Sequence, residues 1–197
     1  MSVLMLLEMP GATTEQYEQI NETMGIHGTE DAPEGLIEHV VGVDGDGLVI
    51  ADVWESEEAL GRFVEQRLRP ALEKAGVPPG PEPRMHPVHN RLEGAGSEPN
   101  VLLIVEIDDG PDVYDAVTSK MDAHTADGSN HPSVSHTAAK TDAGGVLVVD
   151  LWASPEEFGG FAEEHIAPAA AEAGMGPLEP RFVPVHNRIR GKAGQST

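Results

Sequence analysis

The strongest constraint on this chain is that it contains itself twice. The run Asp52-Val-Trp-Glu-Ser-Glu-Glu-Ala-Leu-Gly-Arg-Phe63 returns 98 residues later as Asp150-Leu-Trp-Ala-Ser-Pro-Glu-Glu-Phe-Gly-Gly-Phe161. A second echo, Pro87-Val-His-Asn-Arg against Pro184-Val-His-Asn-Arg, lies 97 residues apart. From Asp52 to Gly76, 11 of 25 positions are identical in the later copy. Two versions of one module, each of roughly ninety residues, therefore share the 197 positions. The expected boundaries are a first module over 1–93, a linker of small residues over 94–100, a second module over 101–191 and a mobile polar tail over 192–197.

Within the first copy the pattern reads β-α-β-β-α-β. Val3 to Glu8 is a short apolar strand ended by Pro10-Gly11. Thr13 or Thr14 caps a helix with Tyr17, Ile20 and Met24 at helical spacing, and Gly25 and Gly28 stop it. Leu36 to Val43 and Leu48 to Trp54 form a hairpin about Asp44-Gly45-Asp46-Gly47. Ser56 caps the second helix, in which Pro70 imposes a kink or a division before Gly76 ends it. A proline-rich connection leads to a last strand, Met85 to Arg91. The second copy repeats the order, with its first helix expected over Pro111 to Ala123 and its last strand over Arg181 to Arg190. This is the α+β, split βαβ arrangement of ferredoxin-like modules.

Composition narrows the chemistry. Thirty-four carboxylates against 12 Lys and Arg give a formal charge of -22, a surface that repels phosphate backbones and anionic lipid. Nucleic acid and membrane are therefore not expected partners. The chain has no cysteine, which removes thiol nucleophiles, thiolate metal sites and disulfides. Its first ten residues lack the basic start of a signal peptide, and no run reaches bilayer-spanning length, so a cytoplasmic location is the expectation. No phosphate-binding glycine loop or Gly-x-Ser-x-Gly elbow occurs.

The motifs Val53-Trp-Glu-Ser-Glu-Glu-Ala-Leu and Leu151-Trp-Ala-Ser-Pro-Glu-Glu-Phe, each closing a strand and opening a helix, resemble those of the dimeric α/β barrel superfamily, and most of all its antibiotic biosynthesis monooxygenase-like branch. The resemblance covers nearly all of both copies. It implies that two ferredoxin-like modules pair as an internal pseudo-dimeric α/β barrel. It also implies a pocket between sheet and helices walled by Trp54 and Trp152, and an activity among cofactor-independent oxygenases, heme-binding or heme-degrading proteins and isomerases. The heme-degrading branch carries an iron-ligating His on the second helix, where this chain has Arg67 in one copy and His165 in the other. A paired heme site is disfavoured on that ground.

The residues themselves point to one duplicated constellation. With Gly45 and Asp46 at the turn, His39 stands opposite Asp52, and alternation puts Trp54 on the same face; His136, Asp150 and Trp152 recur in the second copy. A carboxylate beside an imidazole fixes which ring nitrogen carries the proton and makes the other a better base. His39 and His136 are thus candidate general bases, with Asp52 and Asp150 orienting them, and a phenol or enolisable ketone is the kind of group they deprotonate. The bland alternative is a cross-strand ion pair beside a core tryptophan.

Further candidate contacts are Tyr17 and Tyr114 on the first helix of each copy, His27 and His124 in the loop after it, and the pairs His89-Asn90 and His186-Asn187. Neighbours on a regular strand face opposite ways, so only one member of each pair is expected at a cavity. No metal is expected, since no His-x-His or His-Glu-x-x-His spacing occurs, although His39 and His89 are conceivable ligands. The leading expectation is a cofactor-free enzyme that abstracts a proton from a small hydrophobic, aromatic or polyketide-like molecule, with oxygen insertion as its extension. The alternatives are a non-catalytic binder of a small ligand or heme, and a structural assembly partner; further homo-oligomerisation beyond the internal pair is left open.

Overall fold

A computed structural model describes residues 1–78, 80–96, 98–121 and 131–192. By contacts the chain forms two compact units, Met1–Met85 with Val185–Thr197, and His86–Pro184. These divisions do not fall where the sequence repeat does, because the last strand of the first copy, from Val88, and the later half of the last strand of the second copy each pair with a strand of the other copy.

The first unit holds strand β1 (Val3–Met9), helix α1 (Thr14–Met24), strands β2 (Leu36–Asp44) and β3 (Gly47–Trp54), and helices α2 (Glu57–Phe63) and α3 (Arg69–Ala75). Thr13 caps α1 through a capping box: its hydroxyl accepts from the Gln16 N–H while the Gln16 side chain accepts from the Thr13 N–H. Gly25, in the left-handed region at φ 68°, ends the helix. Ser56 accepts from the Ala59 N–H at the start of α2.

The expected break at Pro70 takes the form of a widened turn. Residues Val64–Leu68 are π-helical, and the Arg69 N–H reaches back to the Val64 carbonyl. Inserting one residue into the turn relieves the clash between the proline ring and the carbonyl before it, so the helix continues through Pro70.

The second unit repeats these elements as strand β5 (Val101–Ile107), helix α4 (Pro111–Thr118), strands β6 (Ser135–Lys140) and β7 (Val146–Trp152), and helices α5 (Pro155–Phe161) and α6 (Ala167–Ala173) about the π turn Ala162–Ile166. Helix α4 is shorter than the run to Ala123 that the spacing suggests; Ala123 and His124 lie outside the described residues. Pro111 at its first turn presets the backbone, but Gly110 offers no capping side chain.

Two ten-residue strands remain, β4 (Arg84–Glu93) and β8 (Arg181–Arg190). From Val88 onward β4 pairs with β6. Residues Arg181 to Pro184 of β8 pair with β5, and Val185 to Arg190 pair with β2. Hydrogen-bonded neighbours run β1-β3-β2-β8-β5-β7-β6-β4 in a closed antiparallel order, which makes the fold the mixed α+β barrel class.

Register is set by tight turns and close approaches. Asp44 pairs with Gly47, leaving the two-residue turn that brings His39 opposite Asp52. A Cβ at Gly47 would meet the Met9 carbonyl at 2.6 Å, and one at Gly145 would meet the Ile107 carbonyl at 2.3 Å, so both hairpins need glycine where they pass the end of the neighbouring strand. Both β4 and β8 carry a register shift: the pairings jump over His89 in one and over His186 in the other.

In the second unit the apolar core lies between sheet and helices. Leu103, Val105, Val148 and Trp152 meet Tyr114, Val117, Phe158 and Phe161 there. The corresponding cluster of the first unit gathers Val3, Ile26, Ala32, Leu36, Ala59 and Ile189 about Trp54. Among the described residues no helix is long and apolar enough to cross a membrane.

Candidate functional site

Each unit contains a chain of four polar side chains, buried or half-buried, between sheet and helix. In the first, His39 Nδ1 lies 2.7 Å from Asp52 Oδ1, and Trp54 Nε1–H donates to Asp52 Oδ2 at 3.3 Å. The outer imidazole nitrogen is not open, because the Tyr17 hydroxyl sits 2.9 Å from His39 Nε2. Asn187 Nδ2 in turn donates to the Tyr17 oxygen at 2.7 Å.

The protonation pattern follows from those partners. A carboxylate accepts only, so in the neutral ring the His39 proton is on Nδ1 and Nε2 is the acceptor for the tyrosine O–H. The chain then reads amide to phenol to imidazole to carboxylate, every donor matched. The tyrosine and imidazole rings are stacked, with centroids 5.9 Å apart and planes 15° from parallel.

The second unit builds the same chain from Asn90, Tyr114, His136 and Asp150. Asn90 Nδ2 donates to the Tyr114 oxygen at 3.2 Å, the Tyr114 hydroxyl lies 2.6 Å from His136 Nε2, and Trp152 Nε1–H donates to Asp150 Oδ2 at 3.4 Å. His136 Nδ1 and Asp150 Oδ1 are 2.8 Å apart, within ion-pair contact though less well aligned as a hydrogen bond than their counterparts in the first unit. Burial is deeper here: Tyr114, His136 and Asp150 are all 5% exposed or less.

Burial has a chemical consequence for the phenols. Desolvation pushes both the Tyr17 and the Tyr114 hydroxyl above the ordinary tyrosine range, Tyr114 strongly, and the nearby carboxylates add to it. Each tyrosine therefore stays protonated and acts toward its histidine as a donor.

The strand pairs behave differently from the alternation argument. Both members of each pair address the same tyrosine: Asn90 bonds the Tyr114 hydroxyl while the His89 ring stands edge-on to it at 5.8 Å, and Asn187 and His186 do the same at Tyr17. The register shift at His89 and at His186 breaks the period of two, which is why neighbours reach one side. The two histidines also bond surface carboxylates, His89 to Asp115 at 2.7 Å and His186 to Glu18 at 3.1 Å.

His27 is exposed on the loop after α1 and contacts Glu22 at 3.5 Å. His124 falls outside the described residues. On the second helix, Arg67 donates to the carbonyls of Asp31 and Met24, and His165 packs against Phe161. Among the described residues no three carboxylate or imidazole groups are arranged to hold a metal ion.

A cavity of about 50 Å³ opens between sheet and helices in the second unit, with Tyr114, His136, Asp150 and Trp152 in its wall. Leu103, Val148, Met121, Phe158, Phe161 and Met175 supply the apolar remainder. One wall residue, His131, is absent from the set the sequence motifs pick out. It is 2% exposed, and its ring lies 5.5 Å from that of His136 and 5.8 Å from that of Trp152. It lies outside the repeat, since His131-Pro132 stands where the first copy has Ala32-Pro33 and the spacing from proline to the paired histidine is two residues shorter. The one signal for it was that loss of repetition.

No family model and no curated protein matches the chain by sequence. Solved structures do match its fold. A protein of Fusobacterium nucleatum proposed as a monooxygenase superposes with a TM-score of 0.69 at 7% identity, covering 96% of this chain and 94% of that one. A ferredoxin-fold protein of Listeria monocytogenes related to antibiotic biosynthesis monooxygenases gives 0.52 at 9% identity, covering 95% of both chains. A heme-degrading enzyme, also of Listeria monocytogenes, gives 0.50 at 9% identity, covering 92% of this chain and 98% of that one. At such identities the likeness is one of fold.

Proposed function

We propose that the protein is an enzyme of the monooxygenase-like kind that removes a proton from a small, hydrophobic aromatic or polyketide-like molecule. The observation that carries this reading is the chain Asp150, His136, Tyr114, which ends in the wall of a largely apolar cavity. A C–H proton of a substrate held there moves to the Tyr114 oxygen, the phenol's own proton moves to His136 Nε2, and the imidazolium formed is held by Asp150. Tyrosine is thus the group that meets substrate, while the histidine takes up the charge one bond further in. Desolvation keeps the Tyr114 phenol protonated at rest, and burial beside Asp150 strengthens the stabilisation of the cation.

The carbanion left on the substrate is the electron source for the oxygenase version of this reaction. A ring methylene oxidised to a carbonyl takes up one dioxygen and releases one water, with no further reductant. His165, on the second helix of the second copy, packs against Phe161 and is not in the cavity wall, so it does not fit the place of a heme ligand there.

Anthrone, a fused-ring ketone with an acidic methylene, tests the reading. Deuterium exchange at that methylene under anaerobic conditions should exceed the buffer rate, and dioxygen uptake should match quinone formation one to one. Exchange at the buffer rate for anthrone and for smaller enolisable ring ketones would remove the enzymatic assignment.

A further inference from the structure

A phenol that loses one electron becomes a far stronger acid, and its proton passes at once to a base already in contact with it. Tyr114 is in contact with one. Its hydroxyl lies 2.6 Å from His136 Nε2, and the two rings are stacked, with planes 4° from parallel. Asn90 Nδ2 donates to the same phenol oxygen, so the tyrosine's own proton is directed at the imidazole. Burial holds the phenol protonated and makes a buried radical cation costly, so an electron leaves Tyr114 readily only if the proton moves as well.

The product of that step is matched where it forms. Moving the proton across one hydrogen bond turns Tyr114 into a neutral phenoxyl and His136 into an imidazolium, and Asp150 Oδ1 stands 2.8 Å from His136 Nδ1 to pair with the cation. The phenoxyl oxygen keeps the bond from Asn90. Tyr114 is also enclosed, 4% exposed within the apolar core that includes Val117, Phe158 and Phe161, so dissolved reductants do not touch it. The first unit makes the same bonds, but with 2.9 Å from Tyr17 to His39 and with Tyr17 only half-buried.

We propose that Tyr114 is a site of one-electron oxidation, with His136 as its built-in proton acceptor, toward oxidants that take an electron and no proton. A delocalised aromatic radical of the aryloxyl kind, held in the cavity of the second unit, belongs to that class. The electron passes from Tyr114 to the oxidant, the Tyr114 O–H bond breaks, and an N–H bond forms at His136 Nε2. An aryloxyl radical is thereby reduced to its aryloxide, while Tyr114 becomes the neutral radical and His136 the cation. No substrate C–H bond takes part, so the assignment does not depend on the proton abstraction proposed above. It gives the same hydrogen bond a second use, in which the tyrosine's own proton moves and an electron leaves with it. Tyr17, nearer to solvent, forms the shorter-lived radical of the two.

The test uses the full chain with ruthenium(III) tris-bipyridyl, formed by a light flash, as an oxidant that takes one electron and no proton. Its positive charge also draws it to a surface of formal charge -22. Electron paramagnetic resonance of the unaltered protein should show a neutral tyrosyl signal that decays in two phases, one for each of the two tyrosines. The radical in Tyr17→Phe should outlive the one in Tyr114→Phe severalfold, and its rate of formation should not change with buffer concentration, because the proton acceptor is part of the fold. His136→Gln keeps a polar group at that place but no base, and should slow formation by about 10²-fold or more and make it rise with buffer concentration. No tyrosyl signal, or an indolyl signal from a tryptophan in its place, would overturn the assignment. So would a single-phase decay in the unaltered protein, equal lifetimes in the two tyrosine variants, or formation in Tyr17→Phe that speeds up with added buffer. Anthrone exchange is read without any oxidant, so its failure removes proton abstraction alone, and the absence of a tyrosyl radical removes the electron-donor role alone.

Discussion

The Tyr114 hydroxyl lies 2.6 Å from Nε2 of His136, so the imidazole nitrogen that would serve as a base is already bonded to a phenol. Any proton reaching that histidine from the cavity passes through the tyrosine oxygen. Tyr114→Phe should therefore lower proton exchange on an enolisable ring ketone by about 10²–10⁴-fold, the span expected for a positioned acid-base group. The same change strands a buried imidazole nitrogen and the Asn90 amide, at a stability cost of about 1–3 kcal/mol readable in urea titrations. Full exchange in a folded Tyr114→Phe protein would show that protons leave by another route.

Alkaline pH provides an independent check on the buried phenols. The chain has only two tyrosines, and burial raises both above the ordinary value of 10.0. Above about pH 10 the unfolded chain gives up its phenolic protons while the folded chain keeps them, so unfolding releases protons and stability falls as pH rises. Below pH 10 these groups leave stability flat. Absorbance of tyrosinate near 295 nm should stay absent in the folded protein through pH 10 and appear together with unfolding. Tyrosinate formed at ordinary pH in a folded protein would contradict the described burial.

The fold also contains an ion pair whose removal has an asymmetric outcome. Arg188 Nε and Nη2 donate to Glu38 Oε1 at 2.8 and 2.6 Å, with Glu38 4% exposed, and the second copy has Ser135 at the position of that glutamate. Glu38→Ala leaves a guanidinium largely buried without its carboxylate and should cost about 3 kcal/mol, the lower end for such a loss because Arg188 keeps some solvent contact. Glu38→Leu combined with Arg188→Met should come close to the parent in stability. A double variant as damaged as the single one would indicate that the pair itself, and not the stranded charge, holds β2 against β8.

Much of this site was legible in the amino-acid order because its parts are local to a hairpin. A two-residue turn determines that His39 faces Asp52, and alternation places Trp54 beside them. The junction of helix and sheet was not legible. Tyr17 reads as a candidate contact on the apolar stripe of its helix, but its partner does not, since only packing of α1 over the strands brings its hydroxyl to His39. Likewise Asn187 reaches Tyr17 across 170 positions of chain, by way of a strand paired with β2 and a register shift that periodicity does not foresee. His131 is not marked by the repeat, because the first copy has Ala32 at that place.

The strand β8 has a consequence for how the polypeptide is made. Its later half supplies the fourth strand of the N-terminal unit, yet these are residues 185–190, made long after β1, β2 and β3. The N-terminal half thus emerges with an open edge at β2 and without the asparagine that completes its hydrogen-bonded chain. Its final ordering waits until β8 has been made, after every strand and helix of the second copy that precedes it.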